Sequence, residues 1–194
     1  MKRVLFAVAL LGLFCLPLYA QDTPKAQIFG GYGLIHEEGF DAHGFTAEVE
    51  GNVSKTFGIA GDFGFGRVSQ GASIEGINVS ASVKEYLFMG GPRFSYGAQK
   101  GRAFFHYLVG GMRMNATGSA SGLSAGTTFS GFAMAIGGGV DISLNDKVSI
   151  RPAMLDWLRV RSSEKTIAGV TIPAMWGNQI RYSAGIVFKL GKKT

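Results

Sequence analysis

Apolar residues alternate with polar or small ones over most of the chain. The clearest run is QIRYSAGIVFKL, residues 179–190. Ile180, Tyr182, Ala184, Ile186, Phe188 and Leu190 form one apolar face. Gln179, Arg181, Ser183, Gly185, Val187 and Lys189 form the other, mostly polar or small. A period of two is that of a β-strand with one face in an apolar medium. Eight such segments can be marked, roughly 26–35, 43–51, 56–68, 82–96, 102–114, 128–142, 147–161 and 178–190. Short connections fall at 52–55, 97–101 and 143–146, recurring about every 46 residues as hairpins do. The other connections, near 36–42, 69–81, 115–127 and 162–177, are longer. Their Ser/Gly-rich composition is expected to leave residues 69–80 and 115–127 as mobile loops. Short turns at one end and long loops at the other are the pattern of a bacterial outer-membrane barrel, turns facing the periplasm. An even strand count then leaves both termini there.

The alternation also assigns the charges. Phe45 and Val49 alternate with Glu48 and Glu50; Phe63 and Phe65 with Asp62; Tyr86, Phe88 and Phe94 with Glu85 and Arg93; Val140 and Ile142 with Asp141. A lysine or arginine among lipid tails at the bilayer midplane costs about 2–4 kcal/mol, so the large apolar set faces lipid and the charged set faces inward. Glu48, Asp62, Glu85, Arg93, Asp141, Arg151 and Arg181 are therefore expected to form a charge network in one lumen. Glu48, Arg93 and Asp141 are placed at similar heights. An eight-stranded barrel has room for little beyond side chains, so these charges must pair or hold water. The inward glycines Gly58, Gly64, Gly137 and Gly139 make space for them. Two positions resist simple parity. Arg151 and Asp156 are five apart around Pro152, which predicts a β-bulge near 152–155 if both point inward. His106 points inward beside Arg93 only if the 98–101 turn has even length.

Residues 1–20 read as an export leader. Lys2 and Arg3 precede the apolar run Val4–Leu16, and LPLYA ends at Ala20, a cleavage site. The domain is then 21–194. Without Lys2 and Arg3 the basic count falls from 19 to 17 against 13 acids, a net charge of +4. Cys15, the only cysteine, leaves with the leader, which excludes disulfides and thiol chemistry from the mature chain. Hydrophobic residues make up 46% and charged ones 16%, with 30 glycines and 15 phenylalanines. No mature stretch has the ~18 consecutive apolar residues of a membrane helix. Aromatic residues lying opposite the charges argue against a soluble lipocalin-like barrel, which turns its apolar face inward.

Catalytic and cofactor motifs are missing. His36 and His43 flank the first outer connection with Glu37, Glu38 and Asp41, and read as solvated loop residues rather than a metal site. His106 is followed by Tyr107 and Leu108, not by the spaced serine of a deacylase. The GGG at 137–139 lies in strand alternation with no helix after it, so it is no dinucleotide loop. The basic cluster Lys189, Lys192 and Lys193 marks an aqueous rim, not a nucleic-acid patch.

Several segments resemble the outer-membrane protein β-barrel domain family, small barrels of the OmpA/OmpX type. They are FGGYG (29–33), GNVSKTFGIAGDFG (51–64), GGPRFSY (90–96), AMAIGGGVDISLNDKVSIRPAMLDWL (133–158) and RYSAGIVFKL (181–190). The resemblance implies an eight-stranded antiparallel up-and-down transmembrane β-barrel recognised by the outer-membrane assembly machinery. The closing-strand signal of the family maps onto Ser183, Gly185, Phe188 and Leu190. Here Gly191–Thr194 continue past it. The expectation is an all-β, monomeric protein of structural or surface-interaction type in the cell outer membrane, non-enzymatic, without cofactor or metal, contacting outer-membrane lipid and no nucleic acid. The alternatives are a narrow pore for ions or small solutes and a membrane-embedded lipid hydrolase.

Overall fold

The computed structural model describes residues 23–74, 77–98, 100–120, 123–167 and 170–192; the expected leader lies outside them. Every regular element described is a strand: β1 Pro24–Glu37, β2 Phe40–Asn52, β3 Phe57–Ile74, β4 Ile77–Ala98, β5 Gly101–Ala120, β6 Leu123–Ser143, β7 Val148–Ser162, β8 Lys165–Ile167, β9 Val170–Ile172 and β10 Trp176–Lys192. The order β1-β10-β7-β6-β5-β4-β3-β2 closes into a barrel of eight antiparallel strands, and β8 and β9 form a small separate hairpin. The seam is complete, with β1 and β10 paired from Pro24↔Lys192 to His36↔Ile180. Closure leaves no backbone edge within the wall, which lipid requires.

At the end with the short turns, side chains satisfy the turn backbone. Ser54 Oγ accepts from the amides of Thr56 and Phe57. Asn145 Oδ1 accepts from those of Lys147 and Val148 at 2.9 and 2.8 Å. Ala98 pairs with Gly101, so the 98–101 turn has the even length that points His106 inward.

The opposite end corrects the sequence reading. The connection expected at 36–42 closes to a two-residue turn between Glu37 and Phe40, with Gly39 at φ +99°. The expected mobile loops at 69–80 and 115–127 are strand almost throughout: the ladders run on to Ile74↔Ile77 and Ala120↔Leu123. The physical reason is that a ladder extended from a fixed register needs no apolar face. Cross-strand hydroxyl pairs serve instead: Ser69 donates to Ser82 at 3.1 Å, Ser80 and Ser119 are 2.8 Å apart, and Thr128 donates to Asn115 at 3.0 Å. β4, β5 and β6 are 22, 20 and 21 residues long. A strand needs only about 9–11 residues to cross a bilayer. Pairing of β2 with β3 stops at His43↔Arg67, and pairing of β6 with β7 stops at Gly131↔Ser162. Beyond those points β3–β6 continue as a four-stranded sheet; no described strand pairs with its β3 edge, while its β6 edge is met by the segment after β7, where Ser163 N donates to the Ser130 carbonyl and Lys165 Nζ to Thr127 Oγ1, both at 2.9 Å, and to the Thr128 carbonyl.

The expected bulge is present and lies at 150–153. Val140↔Ala153 is followed by Ile142↔Ile150, and Ser183↔Met154 by Gly185↔Arg151. One extra β7 residue turns both Arg151 and Asp156 inward. Tyr182 Oη donates to the Pro152 carbonyl at 2.7 Å, satisfying the bulged backbone.

Candidate functional site

The barrel interior brings the expected charges together in layers. Arg93, Arg151 and Arg181 are 0, 1 and 0% exposed. In the layer toward the short turns, Arg93 bonds Glu48 and, through Nη2, Asp141 at 3.2 Å. Arg151 grips Asp141 with Nε and Nη2 at 2.7 and 3.1 Å and donates from Nη1 to Glu48 at 2.9 Å. In the next layer Arg181 is bidentate on Asp62, at 2.8 and 3.1 Å, and donates to Asp156 at 2.7 and 2.9 Å. Paired, charge-assisted bonds of this kind are what make buried ions tolerable. Glu85 stands apart: Gln179 Nε2 donates to both its oxygens at 3.3 and 3.2 Å and to Glu37 at 3.2 Å, and no described arginine reaches it.

Sequence reasoning left several members out of the set. His106 joins the two layers, with Nε2 donating to Asp156 at 2.7 Å and Nδ1 3.4 Å from Glu48 Oε2. Glu50 lies 3.3 Å from Arg93 Nε and accepts from Gln27 at 3.1 Å. Two inward aromatics are cation platforms. Phe104 lies 3.6 Å beneath the Arg93 guanidinium and 4.3 Å from that of Arg151, which also covers Phe29 at 4.3 Å. The rule that large apolar residues face lipid therefore fails inside. Phe29, Phe104, Met154 and Val187 are buried beside the ion pairs. Ile35, Leu87, Leu108, Met112, Leu158 and Val160 belong to a further buried apolar cluster. The signal was the β5 run RAFFHYLV, apolar on both parities, which alternation alone cannot orient.

The four closing-strand residues share β10 but split by face. Ser183 Oγ lies 3.0 Å from Thr46 Oγ1 inside the barrel. Gly185 faces Gly31 across the seam, where an added Cβ would sit 2.2 Å from the Gly30 carbonyl oxygen. Phe188 and Leu190 point outward, 51 and 47% exposed.

The outer wall is apolar and aromatic. Phe45, Phe88, Phe94, Phe105 and Trp157 are among its exposed residues. Rings contact across strands, with centroids 5.5 Å apart for Phe45–Phe63 and 5.0 Å for Phe63–Phe88. Such a belt on a closed barrel is a lipid-contacting surface. Toward the long hairpins it gives way to His36, His43, Arg67, Lys84, Arg113 and Arg159, one per strand on the same outward parity. His36 Nδ1 is 2.6 Å from Asp41, and His43 Nδ1 2.6 Å from the Tyr32 hydroxyl. Among the described residues no group of three or more His, Cys, Asp or Glu side chains could hold a metal.

Residues 6–188 match the model of the outer membrane protein beta-barrel domain. The chain belongs to that family. No curated protein matches its sequence. Among solved structures it is similar to Ail, the attachment invasion locus protein of Yersinia pestis, at 15% identity and TM-score 0.51, covering 86% of this chain and 99% of that one. The same protein in complex with the heparin analogue sucrose octasulfate gives a TM-score of 0.52 at 15% identity and the same coverage, 86 and 99%. Neisserial surface protein A is 12% identical, with TM-score 0.44 and 85 and 96% coverage. The family assignment and the lipid-contacting wall make this an outer-membrane β-barrel.

Proposed function

We propose that the protein is a sealed, non-catalytic, monomeric barrel with periplasmic termini, presenting the β3–β6 sheet outside the cell as an interaction surface. The observation that carries this reading is the unbroken ladder of β3–β6. It rises from the charged interior to Ile74↔Ile77 and Ala120↔Leu123; no described strand pairs with its β3 flank beyond Arg67, and single bonds from Ser163 and Lys165 meet its β6 flank before Gly131. Strand edges and rigid hairpins are surfaces that partners can pair with. Sealing is supported by the interior itself, where three arginines with at most 1% exposure lie across the bore against their carboxylates. A catalytic role for His106 is disfavoured because both its ring nitrogens face carboxylates. Planar-bilayer recording of refolded protein is the test. No stepwise conductance is expected, and steady ionic currents at neutral pH would refute the sealed reading. Protease added to intact cells should cut within 123–130 and leave the 144–147 turn untouched; the reverse pattern would invert the orientation.

The proposal extends to assembly. Phe188 is outward and half-exposed, so Phe188→Ala should lower outer-membrane levels while refolding in detergent stays normal. Gly185→Leu should block both, because the seam has no room for it. Unchanged membrane levels of Phe188→Ala would remove the assembly role.

A further inference from the structure

Above the aromatic belt, the outward wall of β3–β5 carries cations with no described carboxylate in ion-pair reach. Arg67 and Lys84 are direct cross-strand partners on the outward face, and Arg113 partners Tyr86 one step along β4. Arg67 Nε donates only to the neutral Ser69 hydroxyl at 3.2 Å. Two like charges directly opposite each other destabilise a sheet. Their juxtaposition is therefore a cost in the isolated protein, and an anion between them removes it. Beside them the same wall is hollowed into a recess of about 320 Å³ lined by Ser82, Lys84, Tyr86, Asn115, Thr117 and Thr128. Ala116 and Gly126 apart, its lining is hydroxyl, amide and ammonium, the chemistry that hydrogen-bonds a sugar. Position narrows the ligand further. On β4 the outward residues Tyr96, Phe94, Phe88 and Tyr86 span the belt, and Lys84 and Ser82 follow it at once. Ten residues of tilted strand rise about 25 Å, the height of the apolar band, which puts the recess at headgroup level.

We propose that this recess binds the phosphorylated sugar headgroup of an outer-leaflet glycolipid, with Arg67, Lys84 and Arg113 holding phosphate and the Ser82–Asn115–Thr128 surface holding the sugar. Acyl chains would then lie down the aromatic belt below. The inference rests on the outward orientation proposed above.

The refolded protein and the variant Arg67→Gln/Lys84→Gln/Arg113→Gln are compared in three kinds of vesicle: phosphatidylcholine alone, phosphatidylcholine with phosphatidylglycerol, and phosphatidylcholine with diphosphoryl lipid A. Lipid retained on detergent extraction and the unfolding midpoint are both read. In phosphatidylcholine the variant should be as stable as the parent or more so, since it has lost only repulsion. With lipid A the parent should gain stability and retain lipid, and the variant should bind about a hundred-fold more weakly, each near-surface cation contributing roughly a five-fold factor. Inorganic phosphate should not displace the lipid. Equal retention by parent and variant would overturn the site. Equal gain with phosphatidylglycerol would reduce it to charge attraction and overturn the sugar recess, as would displacement by inorganic phosphate. Labelling of Ser124→Cys on intact cells separates the two readings. Unlabelled cells refute the orientation, whereas labelled cells with no lipid preference in vesicles refute the lipid site alone.

Discussion

Two sets of arginines one residue of parity apart lead opposite lives in this barrel. Arg93, Arg151 and Arg181 point inward, at most 1% exposed, and each meets at least two carboxylates. Arg67, Arg113, Arg159 and Arg161 point outward beyond the apolar belt and meet none among the described residues; Arg159 and Arg161 lie over the Trp176 ring at 4.8 and 5.5 Å. The same side chain is a structural tie in one setting and a free cation in the other. What separates them is the parity of one backbone position and the depth at which it falls.

The sharpest way to break this contrast is inside. Arg181→Leu leaves Asp62 and Asp156 buried without their guanidinium, and the expected loss is about 3–5 kcal/mol in urea unfolding from detergent micelles. Arg181→Lys should keep the charge, lose the bidentate grip and fall between. A loss below about 1 kcal/mol for Arg181→Leu would mean that water reaches the layer and the interior is not sealed. Next in size is His106→Leu, which removes the link between the layers and leaves Asp156 Oδ1 without its 2.7 Å partner, for about 1–3 kcal/mol. A double-mutant cycle between His106 and Arg181 should show coupling of at least about 0.5 kcal/mol; strict additivity would mean the layers act independently. Outside, Arg161→Gln should cost only about 0.5–1 kcal/mol, the value of an exposed cation–aromatic contact, measured by the same unfolding. Smallest is Lys100→Ala in a short turn, expected within about 0.5 kcal/mol of the parent.

The comparison also marks what alternation could and could not read. It assigned Glu48, Asp62, Arg93, Asp141 and Arg181 to one face because each sits among lipid-facing Phe, Ile or Val at every second position. It could not pair them: Arg181 and Asp62 are 119 residues apart, and their contact depends on shear around the closed wall. It was silent on β5, where Phe104, His106 and Leu108 inside are as apolar on average as Phe105, Tyr107 and Val109 outside. Proline chemistry supplied the bulge that parity alone would have denied Asp156. The extended hairpins were misread because Ser, Thr and Gly have the composition of loops, while the ladder they continue is set by the strands beneath them.

The position of Arg181 on the final strand has a kinetic meaning. Of its partners, Asp156 sits on β7, the neighbour of β10, and Asp62 on β3, reached across the bore two strands beyond β1. Until that strand arrives, Asp62 has no ion-pair partner among the described residues. The last segment of the wall to be joined thus carries the countercharge for an acid far back in the chain. Zipping β1 against β10 and neutralising the bore are one event, so a half-closed sheet is penalised electrostatically as well as by its open edge. Closure of this barrel is in that sense an all-or-none step, latched from within.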